Sequence, residues 1–280
     1  MSRLPPFVFA GATAVVTGAA GGMGAQLTHQ LAGRGTALVL LDRDADGLER
    51  VAAAVRAGHR DVAVETHVVD LADIARLGPL AAQIVRAHPR LDLLVNNAGV
   101  ALAGRFEQLS LEEFDWVMRI NFTAPVVLTS HLLPALLATP GSHLVNLSSL
   151  FGLIAPAGQS AYAASKFALR GFSQALQAEL ADRVGVTTVH PGGIRTRIAE
   201  TARVAEKVHA EDEHAGRRAA ARLLTYPADR AAAEILDAVQ HRRSRLLIAT
   251  NAKVPDLVAR LLPAGHIRAL SWLGRRDGYR

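Results

Sequence analysis

The strongest constraint on this chain is a regular alternation of two kinds of apolar segment. Short runs, many of them apolar on successive residues, recur at Ala12–Thr17, Ala37–Leu41, Val62–Val69, Leu91–Val95, His143–Leu147, Val186–Val189 and Arg245–Ile248. Between most of them lie longer stretches with helical apolar spacing, among them Gly24–Ala32, Ala45–Ala57, Ile74–Ala87, Leu111–Leu137 and Tyr162–Ala181. A strand that is apolar on both faces must be covered on both faces, as in a parallel sheet with helices above and below. Seven such strands predict an α/β, doubly wound, Rossmann-like sheet in a single domain over residues 1–280. No Pro/Ser-rich linker and no internal repeat divides the chain.

Two segments stand outside this alternation. Residues 197–226 hold the Ala/Glu/Arg-rich stretch Ala199–Leu224, whose composition predicts helix. Residues 251–280 form a basic amphipathic tail. From residue 241 onward, nine Lys or Arg face only Asp256 and Asp277, a surplus of seven; the net charge of +6 therefore leaves residues 1–240 at −1. A near-neutral body with a basic end argues against a nucleic-acid groove across the domain. The chain has no cysteine, which excludes disulfides and thiolate chemistry and fits a reducing cytosol, so a cytoplasmic location is expected. The segment Met1–Ala10 is too short and too broken by Pro5 and Pro6 for a signal peptide, and no later uninterrupted apolar run has spanning length. A soluble protein is expected.

The first strand runs directly into Thr17-Gly18-Ala19-Ala20-Gly21-Gly22-Met23-Gly24 and then into a helix. Glycines let a backbone turn sharply and approach a pyrophosphate, while a helix N-terminus offers free N–H groups and a positive dipole end. A glycine cluster alone also suits any tight turn. Its place at the first strand–turn–helix is where a dinucleotide site belongs. The second strand ends at Leu41-Asp42, 18 residues after Gly24. An acid there can accept hydrogen bonds from ribose hydroxyls and would repel a 2′-phosphate, which favours NAD over NADP. Arg43 follows at once; it could pair with a 2′-phosphate, stack on adenine, or be a solvated turn residue.

Tyr162-Ala163-Ala164-Ser165-Lys166 places a phenol and an ammonium on one helix face. A phenol is a poor base near neutrality, and a nearby cation favours its ionised form. Such a pair also occurs by chance on exposed helix faces. In its surroundings, however, the chain resembles the short-chain dehydrogenase/reductase family over roughly residues 8–250. Thr17-Gly18-x-x-x-Gly22-x-Gly24 looks like that family's coenzyme turn, and Asp70 in Val69-Asp70-Leu71 like its adenine-contacting acid. Asn96-Asn97-Ala98-Gly99, Asn121 in Arg119-Ile120-Asn121-Phe122, and Pro191-Gly192-Gly193-Ile194-Arg195-Thr196 follow in the family's order. Leu147-Ser148-Ser149 with Tyr162 and Lys166 resembles its serine–tyrosine–lysine set; the usual spacing of thirteen residues before the tyrosine selects Ser149 over Ser148.

The resemblance implies a hydride-transferring oxidoreductase for a secondary alcohol or ketone, with a lipophilic substrate an open option. Its implied catalytic groups are Asn121, Ser149, Tyr162 and Lys166. Ser149 would bond the substrate oxygen, and Tyr162 would exchange its proton. Lys166 would lower the tyrosine pKa and bind ribose, and Asn121 would hold a water of a proton relay. Its implied cofactor contacts are Gly18, Ala20, Gly22, Met23, Gly24, Asp42, Arg43, Asp70, Leu71, Asn97, Ala98, Gly99, Tyr162, Lys166, Pro191, Gly192, Ile194 and Thr196. A homodimer or homotetramer through the long helices is implied too. An NADP-preferring carbonyl reductase is the competing enzyme, and a non-catalytic dinucleotide-binding sensor or scaffold the competing class.

Eleven histidines are scattered without ligand spacing, so no metal is expected. The insert falls where the resembling family keeps its substrate lid; a plain exposed helix is the alternative. The tail's Val254, Leu257, Val258, Leu261, Leu262, Ile267, Leu270, Trp272 and Leu273 suit a packing or dimer-contact helix, the favoured reading. A membrane-surface anchor or a cap over a lipophilic pocket is the other.

Overall fold

A computed structural model describes residues 4–196, 198, 201–209, 214, 218 and 222–267. Its first half alternates strand and helix: β1 (Thr13–Thr17), α1 (Gly22–Ala32), β2 (Ala37–Asp42), α2 (Ala45–Gly58), β3 (Val64–Val68), α3 (Ile74–Ala87) and β4 (Leu93–Asn96). There follow β5 (Leu102–Ala103), α4 (Leu111–Met118), α5 (Ala124–Ala138), β6 (His143–Leu147), α6 (Ser160–Glu179) and β7 (Gly185–Pro191). The chain continues through β8 (Arg203–Val204), α7 (Ala228–Gln240), β9 (Arg245–Ile248) and α8 (Thr250–Leu261). Seven strands form one parallel sheet in the order β3-β2-β1-β4-β6-β7-β9. This is the Rossmann-like sheet that the apolar runs predict.

The reason for those runs is visible in β1. Ala14 and Val16 enter a core layer with Leu27 and Leu31 of α1 and Ile235 of α7, while Val15 enters the opposite layer with Leu77 of α3 and Leu128 of α5. Neighbouring residues thus serve different cores, and neither position tolerates a polar side chain. The sheet order reverses between β1 and β4, so the carboxyl ends of these strands open a crevice there.

Several expectations need correction. The helix expected over Leu111–Leu137 is interrupted by a π-helical turn at Arg119–Thr123, which separates α4 from α5. The stretch Leu111–Ala138 is also apolar and long enough to cross a bilayer, but half of its most apolar window is buried inside the fold. The stretch expected to be helical, Ala199–Leu224, contains β8, which pairs in parallel with β5 as a second, two-stranded sheet. Residues 199, 200, 210–213, 215–217 and 219–221 of that stretch lie outside the described residues, as do Leu270, Trp272 and Leu273 of the tail. In the tail, α8 buries Ala252 and Asp256 and leaves Val254, Leu257 and Leu261 exposed, so most of its large apolar side chains do not face the domain.

Candidate active site

At the carboxyl end of β1 the chain turns through Gly18, whose φ of +66° suits glycine. The turn then meets α1 at very close range: a Cβ on Gly24 would stand 1.9 Å from the Gly18 carbonyl oxygen. No side chain caps α1, and its first turn holds no acid, so its N-terminal amides and dipole are open to an anion. Thr17 and Asn97 lock this turn to the next loop. The Thr17 hydroxyl accepts from the Asn97 and Ala98 amides, each at 3.0 Å. Asn97 Nδ2 donates to the carbonyls of Thr17 at 2.9 Å and Gly18 at 3.1 Å.

The Asp42 carboxylate ends β2 and accepts from the amides of Ala20 at 2.9 Å and Asp44 at 3.0 Å. It therefore braces the glycine turn while standing at the crevice, and Arg43 beside it is exposed. Met23 packs partly buried against the core. Asp70 lies exposed after β3 and accepts from the Ala72 amide at 2.9 Å, with Leu71 buried behind it.

Ser149 follows β6 in extended geometry, and its hydroxyl accepts from the Phe151 amide at 3.1 Å. The Ser149 side chain also reaches Tyr162, in the first turn of α6, closely enough to favour the ionised phenol. Ser148, the rejected candidate, is buried and spends its hydroxyl on the Lys166 carbonyl at 2.9 Å. Lys166 lies four residues beyond Tyr162 and is only 3% exposed. Its ammonium donates to the Leu147 carbonyl at 3.0 Å and lies 5.7 Å from the centre of the Tyr162 ring.

Burial lowers the Lys166 pKa to about 8, because the apolar surroundings penalise the charged form. The resemblance implies that Lys166 lowers the tyrosine pKa. Here burial outweighs everything else and raises the Tyr162 pKa, with the Ser149 hydrogen bond pulling it back down. The Lys166 ammonium is aimed at the Leu147 carbonyl and stands beside the ring.

Asn121 sits in the π turn and is fully buried. Its amide accepts from the Val100 N–H at 2.8 Å and donates to the Val100 carbonyl at 2.9 Å and the Ser165 hydroxyl at 3.0 Å. Its side chain thus joins the loop after β4 to the tyrosine helix. Gly99 lies against both groups: a Cβ there would stand 3.2 Å from Lys166 Nζ and 3.3 Å from Asn121 Oδ1.

The loop Pro191–Thr196 closes the arrangement. Gly192 donates to Ile248 at 3.1 Å, Gly193 to Asn251 Oδ1 at 3.1 Å, and buried Ile194 bridges to Tyr226. Thr196 then returns to the glycine turn, with its side chain 3.3 Å from where a Gly22 Cβ would lie. The structure therefore gathers Gly18–Gly24, Asn97–Gly99, Asn121, Ser149, Tyr162, Lys166 and Pro191–Thr196 at one end of the sheet. Asp42, Arg43, Asp70 and Leu71 flank this cluster at the ends of β2 and β3.

Three residues brace the site in ways that no sequence motif signals. Thr17 ties the two loops, Asn251 holds Gly193, and buried His190 contacts the Ser149 carbonyl at 3.0 Å. Each acts across a long sequence separation, which only a fold reveals. Among the described residues, no three His, Asp or Glu side chains gather as metal ligands.

A family model described as short chain dehydrogenase matches residues 12–207. A Mycobacterium tuberculosis protein carrying an oxidoreductase name, SadH, is 34% identical over 267 residues, covering 94% of this chain and 95% of that one. Among solved structures, a short-chain dehydrogenase/reductase from Burkholderia phymatum in complex with NAD superposes with a TM-score of 0.80. It is 27% identical, over 91% of this chain and 96% of that one. A short-chain dehydrogenase from Sphingobium yanoikuyae in complex with NADPH reaches 0.74 at 27% identity, over 96% of both chains.

Proposed function

The chain belongs to the short-chain dehydrogenase family of oxidoreductases, and from that premise we propose that it interconverts an apolar secondary alcohol and its ketone with a nicotinamide dinucleotide. The observation that carries the reading is the meeting of the Ser149 and Tyr162 side chains with a buried lysine beside them. A glycine turn at an uncapped helix start fits a pyrophosphate, and the Burkholderia and Sphingobium structures hold NAD and NADPH. When bound, the dinucleotide supplies or accepts the hydride.

The protein's own groups do the rest. Ser149 hydrogen-bonds the substrate oxygen and stabilises negative charge as it develops there. In reduction Tyr162 gives its hydroxyl proton to that oxygen; in oxidation it takes the proton back. A raised tyrosine pKa keeps the proton on the phenol at neutral pH, which suits the reductive direction. Lys166, with a pKa of about 8, exchanges a proton near neutrality and can reprotonate the phenolate. Asn121 holds the Val100 loop against Ser165, fixing the two walls between which this exchange occurs.

The walls also argue for an apolar substrate. Neither Asn97–Gly104 nor Ser148–Ala161 contains a charged residue, and Phe151 packs edge-on to Tyr162 with ring centres 6.0 Å apart. A carboxylate or phosphate would find no counter-charge in these two loops. The Asp42 carboxylate favours NAD, since a 2′-phosphate would meet it as a like charge.

A panel of ketones followed by NADH absorbance tests the proposal: 2-octanone, cyclic and steroid ketones, and the charged analogue 2-oxooctanoate. Turnover of apolar ketones with poor use of the keto acid is expected. Preference for the keto acid would refute the substrate class, and no turnover with any ketone or alcohol would refute the enzyme.

A further inference from the structure

The peptide that carries Ser149 is held from beneath by side chains that the hydride-transfer chemistry does not use. His190, next to last in β7, is 1% exposed, and its Nδ1 lies 3.0 Å from the Ser149 carbonyl oxygen. A carbonyl can only accept, so this contact requires the Nδ1–H tautomer of His190. Burial lowers the His190 pKa to about 4, helped by Arg245 and Arg170 and opposed by the Ser149 bond and Asp256, so the ring is neutral at physiological pH. These charged neighbours come from β9, α6 and α8.

The Ser149 carbonyl has a second donor, the Gly152 amide at 3.0 Å, which belongs to the turn itself. Arg170, one helical turn beyond Lys166, donates to the far end of that turn at the Gly152 carbonyl, 3.2 Å away. Beneath lies a small cavity of about 20 Å³, room for a single water, lined by Arg170, Gln177, Thr188, His190 and Arg245. The serine turn therefore rests on β7 at one end and on α6 at the other. Two bonds to one carbonyl fix the tilt of the Ser149 peptide, and the tilt fixes where its hydroxyl meets Tyr162.

We propose that His190 is a positioning residue for the reaction: its Nδ1–H holds the Ser149 carbonyl so that the serine hydroxyl faces the substrate oxygen. The proposal rests on Ser149 being the hydroxyl that meets the substrate. Removing the bond leaves the Gly152 bond, so the turn persists but its hydroxyl is loosened, and looseness of that kind costs rate more than binding.

Three substitutions separate this role from plain packing. Leucine removes the donor and keeps most of the volume. Asparagine places an amide N–H close to the position of Nδ1, whereas glutamine places it one carbon further out. With NADH and the fastest ketone of the panel, 2-octanone being the first probe, kcat of His190→Leu should fall roughly tenfold to a hundredfold. KM for NADH should stay within about twofold, because the dinucleotide loops do not rest on this bond. His190→Asn should return to within about threefold of wild type, and His190→Gln should remain as slow as His190→Leu. Unchanged kcat in His190→Leu, or an Asn variant as slow as the Leu variant, would overturn the proposal. If the Leu variant does not fold, the Asn and Gln variants decide alone by the same criterion. Ser149→Ala is the separate control: undiminished turnover there removes the active-site premise, whereas a dead Ser149→Ala beside a fast His190→Leu refutes only the role of His190.

Discussion

Replacing Gly24 by alanine should cripple dinucleotide binding through geometry alone. The new Cβ would stand 1.9 Å from the Gly18 carbonyl oxygen and 2.7 Å from Asn97 Nδ2. Reaching ordinary contact requires α1 and the glycine turn to part by about 1.5 Å, an overpacking that typically costs about 1–3 kcal/mol of stability. The parting also withdraws the α1 amides from a pyrophosphate and strains the Asn97 bonds to Thr17 and Gly18. A displacement of this size should weaken the Kd for NADH about 100-fold, or roughly 2.7 kcal/mol. Gly58→Ala is the matched control, since a Cβ at the end of α2 meets nothing within 4 Å. That variant should be neutral or more stable by up to about 1 kcal/mol. NADH fluorescence titration and thermal melting read both effects. Wild-type NADH affinity in Gly24→Ala would refute the placement of the dinucleotide on this turn.

Three further outcomes follow from single groups. Lys166 has a folded pKa of about 8 against 10.5 ordinarily, so the folded state pays for its charge below pH 8 and the penalty fades as pH rises from 8 towards 10. Lys166→Met should therefore be more stable than wild type at pH 7, on the order of 2 kcal/mol by urea unfolding, with a gap that closes towards pH 10; a pH-independent gap would contradict this. Asp42→Asn keeps an acceptor for the Ala20 amide but removes the charge, so NADPH should bind about tenfold more tightly relative to NADH in a paired titration; an unchanged ratio would remove Asp42 from cofactor choice. Asp256 is buried between Arg245 and Arg260, and Asp256→Ala should cost about 2–3 kcal/mol in urea unfolding, allowing for the partial exposure of Arg245; a loss below about 0.5 kcal/mol would show that the pair contributes little.

The central sheet was legible because burial on both faces leaves its mark on consecutive residues, as Ala14, Val15 and Val16 show by entering alternate layers. The π turn at Arg119–Thr123 was not, since one extra residue in a helical turn barely disturbs an apolar pattern that continues into α5. The pairing of Leu102–Ala103 with Arg203–Val204 was invisible too, because two-residue strands are too short to show a period. Within the candidate site, Ser149, Tyr162 and Lys166 could be named from their order and spacing. What Lys166 does to the phenol could not, because it depends on where Nζ points and on how much water reaches it. The bracing contacts of Thr17, His190 and Asn251 escaped for a related reason: their partners lie far away along the chain, at Asn97, Ser149 and Gly193.

The central claim is that the Tyr162 hydroxyl carries the proton of the reaction. Tyr162→Phe removes that hydroxyl and leaves the ring against Phe151 and Lys166. NADH titration and single-turnover reduction of a working ketone, measured on the same sample, test the claim directly. The account predicts NADH affinity within about threefold of wild type and a turnover rate lower by at least about 100-fold. Near wild-type turnover with normal NADH binding would contradict it.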